Sequence, residues 1–187
     1  MKANAKNVRT LAQRKEDQNY DLRRYFKEQG ELSEKEVDQL VSETTRHVWA
    51  SFDCARCANC CKELTRTVTD EEAGRLAARL ALTPEEFRRR YLQGQADPEE
   101  AGNDEEQDDV RWRIRGKPCP FLKDNRCTVY EDRPQQCRKY PYLYEPRFSF
   151  RTLAMIERTF TCPVVYQVFE ELKAELPFRR RSRNGWQ

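Results

Sequence analysis

The sequence is poor in residues that many ligand sites need, since its 187 residues include one histidine and six glycines. A single histidine, His47, excludes a Cys2His2 zinc finger. There is no glycine-rich loop to cradle phosphate and no G-x-S-x-G turn for a nucleophilic serine. No apolar run approaches the roughly 20 residues of a membrane helix, and the polar N-terminus lacks the apolar segment of a signal peptide. We therefore expect a cytoplasmic protein without a membrane partner.

Apolar residues are also scarce. Hydrophobic residues make up 37 % of the chain and charged residues 36 %, which predicts a thin core that would gain from cross-links. The formal charge of +3 counts the thiols as neutral, and ionised thiols would cancel it. A nucleic-acid partner is therefore not expected. The tail arginines, which are more typical of a solvated chain end, are Arg179, Arg180, Arg181 and Arg183.

Cysteine is the residue that the chain has in excess. Eight cysteines lie between residues 54 and 162, and the first four form a C-x2-C-x2-C-C cluster. Three thiols at every third position can converge on one point, where thiolates ligate a soft or borderline metal. Four disulfides are the alternative, but the missing signal peptide and the adjacent cysteine pair argue against them. The predicted metal ligands are Cys54, Cys57, Cys60, Cys61, Cys119, Cys127, Cys137 and Cys162.

The pattern along the chain predicts a small, mostly helical α+β domain with short strands, organised around a cysteine-ligated metal site. We expect a polar N-terminal arm at 1–31, with only a short helix near 20–29. The metal-binding domain follows at 32–178, and a basic tail occupies 179–187. Residues 95–109 are acidic and nearly free of apolar groups, which is typical of a solvated loop and fits no calcium loop.

Several local signals predict where helices and strands begin and end. Three pairs follow the capping-box pattern at helix starts, namely Ser33 with Glu36, Thr69 with Glu72, and Thr83 with Glu86. Gly94 is expected to end the third helix. Apolar alternation predicts strands at 110–114 and 148–150, and residues 123–126 have the composition of a turn.

Two of the cysteines are expected at helix starts. Pro134 predicts a helix with Cys137 in its first turn, and Cys162-Pro163 predicts another helix start. The N-terminus of a helix lowers the pKa of a nearby thiol. Cations close in sequence to the cysteines could offset the negative charge of a thiolate site, and these are Arg56, Lys62, Arg126, Arg133, Arg138 and Lys139.

The number of metal sites stays open. Neighbouring side chains diverge, so Cys60 and Cys61 are expected either to serve different sites or to leave one of them unbound. Eight thiols suffice for two four-thiolate sites, or for one cluster with an auxiliary ion or reserve thiols. His47 is expected to be an ordinary surface or packing residue.

The identity of the metal is a choice between an iron–sulfur cluster and zinc. Structural zinc usually takes two C-x2-C pairs, whereas the C-x2-C-x2-C run with a remote Cys-Pro is similar to ferredoxin ligation of a [4Fe–4S] cluster. Cys119-Pro120 and Cys162-Pro163 both offer that remote ligand. We favour [4Fe–4S] and keep zinc as the alternative.

Three segments together resemble one known family. They are Cys54-Ala-Arg-Cys57-Ala-Asn-Cys60-Cys61, Cys119-Pro-Phe-Leu122, and the run from Cys127 through Thr-Val-Tyr-Glu-Asp-Arg-Pro-Gln-Gln to Cys137-Arg-Lys-Tyr-Pro141. The chain resembles the CxxCxxCC cysteine-cluster family, the YkgJ-like zinc- or iron-chelating proteins, over about residues 50–165. It departs from the expected pattern where Ala58 and Val164 replace glycine, and these departures concern the local backbone.

The resemblance implies metal chelation by the cysteines. A relative of this family, flagellin lysine methylase, implies methyl transfer to protein lysines, but no glycine-rich loop for a methyl donor is present. We therefore predict a metal-binding protein with a structural, redox or metal-handling role. The alternative is a lysine methyltransferase-like enzyme with the cluster near its active site. A protein partner is possible, and no catalytic residue is predicted.

Overall fold

A computed structural model describes residues 3–29, 32–95 and 111–177 of the chain. The chain divides into two compact units. We call Met1–Cys54 with Pro141–Gln187 the helical unit, and Ala55–Tyr140 the cysteine unit. Most of the predicted acidic loop and the whole basic tail lie outside the described residues, so the predicted domain boundaries stay a prediction. In the described ranges no helix combines the length and the apolar character that crossing a membrane requires.

Helices dominate the described residues, and all the strands are short. In chain order the helices are α1 (Val8–Arg24), α2 (Glu34–Ala50), α3 (Cys54–Cys57), α4 (Asn59–Glu63), α5 (Asp70–Arg79), α6 (Pro84–Tyr91), α7 (Gln135–Lys139), α8 (Phe148–Thr159) and α9 (Pro163–Glu175). The strands are β1 (Thr67–Thr69), β2 (Leu92–Gln95), β3 (Arg111–Ile114), β4 (Leu122–Lys123) and β5 (Arg126–Cys127). A π-helical turn covers Tyr25–Gln29, and a 3-10 turn covers Tyr130–Asp132. The predicted mostly helical α+β class is confirmed.

The helical unit is built from the four longest helices among the described residues. Helix α9 packs against α2 and α8, and α1 packs against α8 and α9. Their shared core contains Val41, Phe148, Phe169 and Leu172, all at most 1 % exposed. The Phe148 and Phe169 ring centroids lie 6.1 Å apart. Burial of these large side chains stabilises the unit through the hydrophobic effect.

Helix α1 is longer than the short helix that the sequence predicted near residues 20–29. Val8 and Ala12 are buried together with Tyr166 of α9. Farther along α1, Asn19 accepts a hydrogen bond from the buried Lys173 ammonium at 2.8 Å. Apolar residues in α1 are sparse among charged ones, so its buried face includes polar side chains and gives a weak amphipathic pattern.

The predicted strand at 148–150 is wrong, because these residues form the first turn of α8. The Asp38 carboxylate accepts hydrogen bonds from the Arg147 and Phe148 N–H groups, each at 2.8 Å. Glu34 accepts from the Ser149 N–H at 3.1 Å. Two carboxylates of α2 thus accept hydrogen bonds from the first N–H groups of α8, and their negative charge stabilises the positive N-terminal end of the helix dipole.

The cysteine unit is built on a three-stranded antiparallel sheet in the order β1-β3-β2. Helices α5 and α6 pack against each other, α5 also against β1 and α6 against β2. The core of this unit includes Leu76, Phe87, Ile114 and Phe121. Cys119 and Cys127 pack against this core, so the sheet and its helices anchor two of the predicted ligands.

All three predicted capping boxes are present, at the starts of α2, α5 and α6. The prediction that Gly94 ends the third helix is wrong. Helix α6 ends at Tyr91, and Gly94 lies in β2, where the pairing register with β3 shifts between Gln93 and Gln95. Its φ of +53° explains the glycine, because this left-handed conformation is unfavourable for residues with a Cβ.

Candidate metal centre

The cluster segment consists of two short helices rather than one loop. Helix α3 ends at Cys57 and α4 begins at Asn59, with Ala58 between them at φ +48°. The resemblance led us to expect glycine at this position, and the left-handed conformation agrees with that expectation, since alanine adopts it at a cost of roughly 1 kcal/mol. The Ala58 carbonyl accepts a hydrogen bond from the Cys61 N–H at 3.1 Å. This turn sets the spacing of Cys57 and Cys60.

A backbone hydrogen bond joins the cluster segment to the Cys119-Pro120 loop. The Cys119 N–H donates to the Cys61 carbonyl at 2.8 Å, and the Cys119 carbonyl accepts from the Leu122 N–H at 3.0 Å. Cys127 follows in the hairpin of β4 and β5, where it pairs with Leu122. The predicted turn at 123–126 is confirmed, and Asp124 and Asn125 adopt φ of +50° and +59°, as a tight hairpin requires.

Cys137 lies in the first turn of α7, as predicted, and side chains of other segments hold that helix. The buried Glu72 carboxylate accepts from the Gln135 N–H at 2.7 Å and from the Thr69 N–H at 3.0 Å. In return, the Gln136 side-chain oxygen accepts from the Thr67 N–H at 2.9 Å. These bonds tie the start of α7 to β1 and to the start of α5.

Three of the cysteine sulfurs share one local geometry. The peptide N–H two residues farther along the chain donates a hydrogen bond to the sulfur of Cys57, Cys119 and Cys127. The donors are Asn59, Phe121 and Val129 respectively. Amide donors to sulfur stabilise the thiolate, which is the form that ligates a metal. The backbone is therefore already arranged around these sulfurs as it would be around metal ligands.

The Cys60 and Cys61 thiols hydrogen-bond one another. The expectation that these neighbouring side chains diverge is therefore wrong in this structure. The bond from Cys61, helped by Arg66, lowers the pKa of Cys60 to about 6, while the same bond and burial raise the pKa of Cys61. Cys60 is thus the thiol that ionises first, with Cys61 as its donor.

The charge of Cys60 reaches the other thiols of the cysteine unit. Burial, and then the negative charge of Cys60, raise the pKa of Cys57 and Cys127. The pKa of Cys119 is raised by burial, Cys127 and Cys60, and that of Cys137 is raised to about 11 by burial, Cys119 and Cys60. Because such charge effects decay with distance, they group six thiols from distant parts of the sequence.

Burial is the main cause of the raised pKa of the Cys137 thiol. Its place in the first turn of a helix predicted a lowered pKa for this thiol. Instead, the pKa of Cys137 is raised, since the desolvation of the charged form outweighs the favourable effect of the nearby Arg66. Desolvation and like charge are the two causes that move a thiol in this direction.

Arg66 is a residue of the centre that the sequence analysis missed. Its side chain is 6 % exposed, and its guanidinium carbon lies 4.6 Å from the centroid of the Tyr140 ring. It hydrogen-bonds the Cys60 thiol, and its charge also acts on Cys119 and Cys137. Arg66 lies five residues after Cys61, and no local pattern distinguishes it from the other arginines.

Three of the cations that the sequence predicted near the cysteines have two different kinds of partner. Lys62 acts on the Cys57 thiol and Arg133 on the Cys127 thiol, in both cases against the larger effect of burial. Arg138 instead donates to the main-chain carbonyls of Arg133 and Glu131 at 2.7 and 2.6 Å. The Arg138 guanidinium therefore stabilises the turn between Cys127 and Cys137.

The remaining predicted residues belong to the helical unit. Cys54 is exposed at the start of α3, whereas Cys162 is buried and precedes Pro163 at the start of α9, as predicted. His47 is 80 % exposed, with its Nδ1 atom 3.1 Å from a Glu171 carboxylate oxygen. None of the eight cysteines, all within the described ranges, forms a disulfide.

The thiols are grouped but do not form a closed site. Across residues 3–29, 32–95 and 111–177, no three His, Cys, Asp or Glu side chains have an arrangement that could hold a metal ion. The predicted set of eight ligands therefore stays a prediction. What the cysteine unit does provide is six thiols, three of them with amide donors, beside one buried guanidinium.

Comparison with known proteins identifies the family. No curated protein and no solved structure gives a significant match to this chain. The family model named CxxCxxCC, described as a "putative zinc- or iron-chelating domain", matches residues 53–163. The match covers all eight cysteines and more than half of the sequence. The chain belongs to the CxxCxxCC family of zinc- or iron-chelating domains.

Proposed function

We propose that this chain is a metal-binding protein whose centre is held by cysteine thiolates of the cysteine unit. The observation that carries the proposal is the grouping of thiols from distant segments around Cys60. The proposed ligands in this unit are Cys57, Cys60, Cys61, Cys119, Cys127 and Cys137. Cys54 and Cys162, which belong to the helical unit, remain predicted ligands, and the metal stoichiometry tests them.

The donor set fits a soft or borderline metal. Thiolate sulfur is the preferred ligand of zinc and of iron–sulfur clusters, and hydrogen bonds from backbone amides to sulfur are a regular part of such sites. Cys57, Cys119 and Cys127 have these amide donors. The proposal requires the thiols to move toward each other on binding, as metal ligation coupled to local folding does.

Of the two metals, we favour an iron–sulfur cluster. The C-x2-C-x2-C spacing with a remote Cys-Pro is similar to ferredoxin ligation, whereas structural zinc usually takes two C-x2-C pairs. Cys119-Pro120, one of the two candidate remote ligands, lies in this unit and is joined to Cys61 by a 2.8 Å backbone hydrogen bond. A bound cluster would supply one-electron chemistry, whereas zinc would supply a structural cross-link or exchangeable metal.

The test is the metal content per chain together with a visible absorption spectrum, measured on protein purified without oxygen. We expect a brown protein with about four iron and four sulfide per chain for [4Fe–4S]. A colourless protein with bound zinc would support the zinc alternative. In either case the matched variants Cys60→Ser and His47→Ala should differ, with metal lost only from the first. Reduced protein that binds neither iron nor zinc would contradict the proposal.

The competing prediction, a lysine methyltransferase-like enzyme, has its own measurement. Calorimetric titration with a methyl donor such as S-adenosylmethionine should give no binding heat if metal handling is the whole function. Saturable binding of the donor would instead favour the enzyme. The two readings differ in this one measurement, because both allow the cysteines to hold metal.

A further inference from the structure

Arg66 is an arginine buried among candidate metal ligands. It immediately precedes β1, and its carbonyl accepts the Ile114 N–H at 2.7 Å, so its main chain is part of the sheet edge. Its side chain is 6 % exposed, and its guanidinium lies over the Tyr140 ring with a carbon-to-centroid distance of 4.6 Å. A guanidinium whose flat face contacts an aromatic ring directs its N–H donors sideways.

Those donors lie beside cysteines from three separate segments. The guanidinium hydrogen-bonds the thiol of Cys60 in α4, and its charge acts on Cys119 before the β4–β5 hairpin and on Cys137 in α7. The segments that meet here are far apart in sequence. Arg66 therefore favours the ionised form of all three thiols, Cys60, Cys119 and Cys137.

We propose that Arg66 is the charge-compensating residue of the metal centre, clamped on Tyr140 so that its guanidinium donates to the Cys60 sulfur and offsets the charge of the converging thiolates. This inference rests on the proposed function. It assigns Arg66 a positioning role, distinct from the role of a ligand.

The sign of its effect follows from charge balance. Four thiolates and one divalent ion give a tetrathiolate complex of charge −2, which is more negative than the metal-free site, where most of the thiols are neutral. A fixed positive charge beside the sulfurs stabilises the product of that reaction more than the neutral thiols. A [4Fe–4S]²⁺ centre with four thiolates has the same charge of −2. Loss of Arg66 should therefore weaken binding at constant pH.

The experiment compares Arg66→Met, Arg66→Lys and the control Arg126→Met in the full-length, reduced, metal-free protein. Arg126 was expected from its position next to Cys127 to offset thiolate charge, but it is exposed, and the cation that acts on the Cys127 thiol is Arg133. Affinity for Zn²⁺ and Co²⁺ is measured by competition with a chelator, and the Co²⁺ absorption spectrum reports the thiolate coordination. We expect Arg66→Met to weaken binding by roughly 10–100-fold, as loss of an outer-shell partner does, and Arg126→Met by about twofold or less.

The lysine variant separates charge from structure. Arg66→Lys keeps the charge but loses the planar fork and the ring contact, so its affinity should lie between those of Arg66→Met and the original protein. Affinity of Arg66→Met within about twofold of the original would overturn the proposal, and so would a lysine variant as weak as the methionine variant. If the original protein binds neither ion and also takes up no iron without oxygen, the proposed function itself fails and this inference falls with it. If it holds only an iron–sulfur cluster, the same variants are compared by iron and sulfide content per chain, with the same order of loss expected.

A second variant keeps the test sound if Arg66→Met does not fold. Circular dichroism of the metal-free proteins establishes folding first. Tyr140→Leu leaves the Arg66 charge in place but removes the ring that holds it. We expect this variant to lose affinity in the same direction and by a smaller factor than Arg66→Met. Unchanged affinity in Tyr140→Leu, with Arg66→Met unfolded, would overturn the proposal.

Discussion

Glu72→Ala tests how the fold brings Cys137 into the centre. The Glu72 side chain is 5 % exposed, and its two oxygens accept the Thr69 and Gln135 N–H groups at 3.0 and 2.7 Å. Each hydrogen bond to a charged group contributes roughly 1.5–3 kcal/mol, and a buried donor left without a partner costs its desolvation. Loss of both should lower the free energy of unfolding of the cysteine unit by about 3–5 kcal/mol.

Two variants are the controls. Glu86 forms the same capping box with Thr83 at the start of α6, but on an exposed surface, so Glu86→Ala should have the smaller effect. Glu72→Gln keeps one acceptor oxygen and should fall between the original protein and Glu72→Ala. Because two units need not unfold together, the assay is urea unfolding combined with hydrogen exchange at the Thr69 and Gln135 amides. The reasoning is refuted if Glu72→Ala costs no more than Glu86→Ala, or if the Gln135 amide stays equally protected.

Other predictions address the metal and one helix cap. Cys57→Ala and Cys137→Ala should each lose bound metal in an elemental analysis, whereas His47→Ala, which removes an 80 % exposed side chain, should not; full metal content in both cysteine variants would contradict the assignment. A chelator should raise hydrogen exchange across residues 55–140, and exchange equal in loaded and metal-free protein would argue against a stabilising metal. Ser33→Ala should raise the pKa of Glu36 toward 4.5, because the Ser33 hydroxyl and N–H now lower it. The Glu36 carboxylate stabilises the α2 cap above its ordinary pKa, and this contribution is lost as the pH falls through the lowered pKa; an unchanged Glu36 pKa in an NMR titration of Ser33→Ala would refute this.

Signals that act over a few residues predicted the local structure well. The three capping boxes, the turn at 123–126 and the position of Cys137 in a first helical turn depend on neighbours in sequence, and the structure has all of them. Contacts between distant residues accounted for the errors. Asp38 caps α8 from more than a hundred residues away, so the alternation of Phe148 and Phe150 falsely predicted a strand.

For the candidate site too, local sequence patterns were informative and contacts between distant residues were not predictable. Cysteine spacing predicted a metal-chelating domain, and the family match supports that role; which of the cysteines are ligands stays a prediction. The electrostatics could not be predicted, since the pKa of Cys137 depends on burial rather than on its place in α7. Arg66 was missed because its importance comes from burial against Tyr140, a residue 74 positions away.

The division of the chain also has a consequence for the order of synthesis. The cysteine unit is one uninterrupted stretch, Ala55–Tyr140, whereas the helical unit needs segments from both sides of it. On the ribosome, all six cysteines of that stretch emerge before α8 and α9 exist, and domains generally fold as units during translation. Under the proposed function, the nascent cysteine unit can therefore bind metal before α8 and α9 are made to pack against α1 and α2.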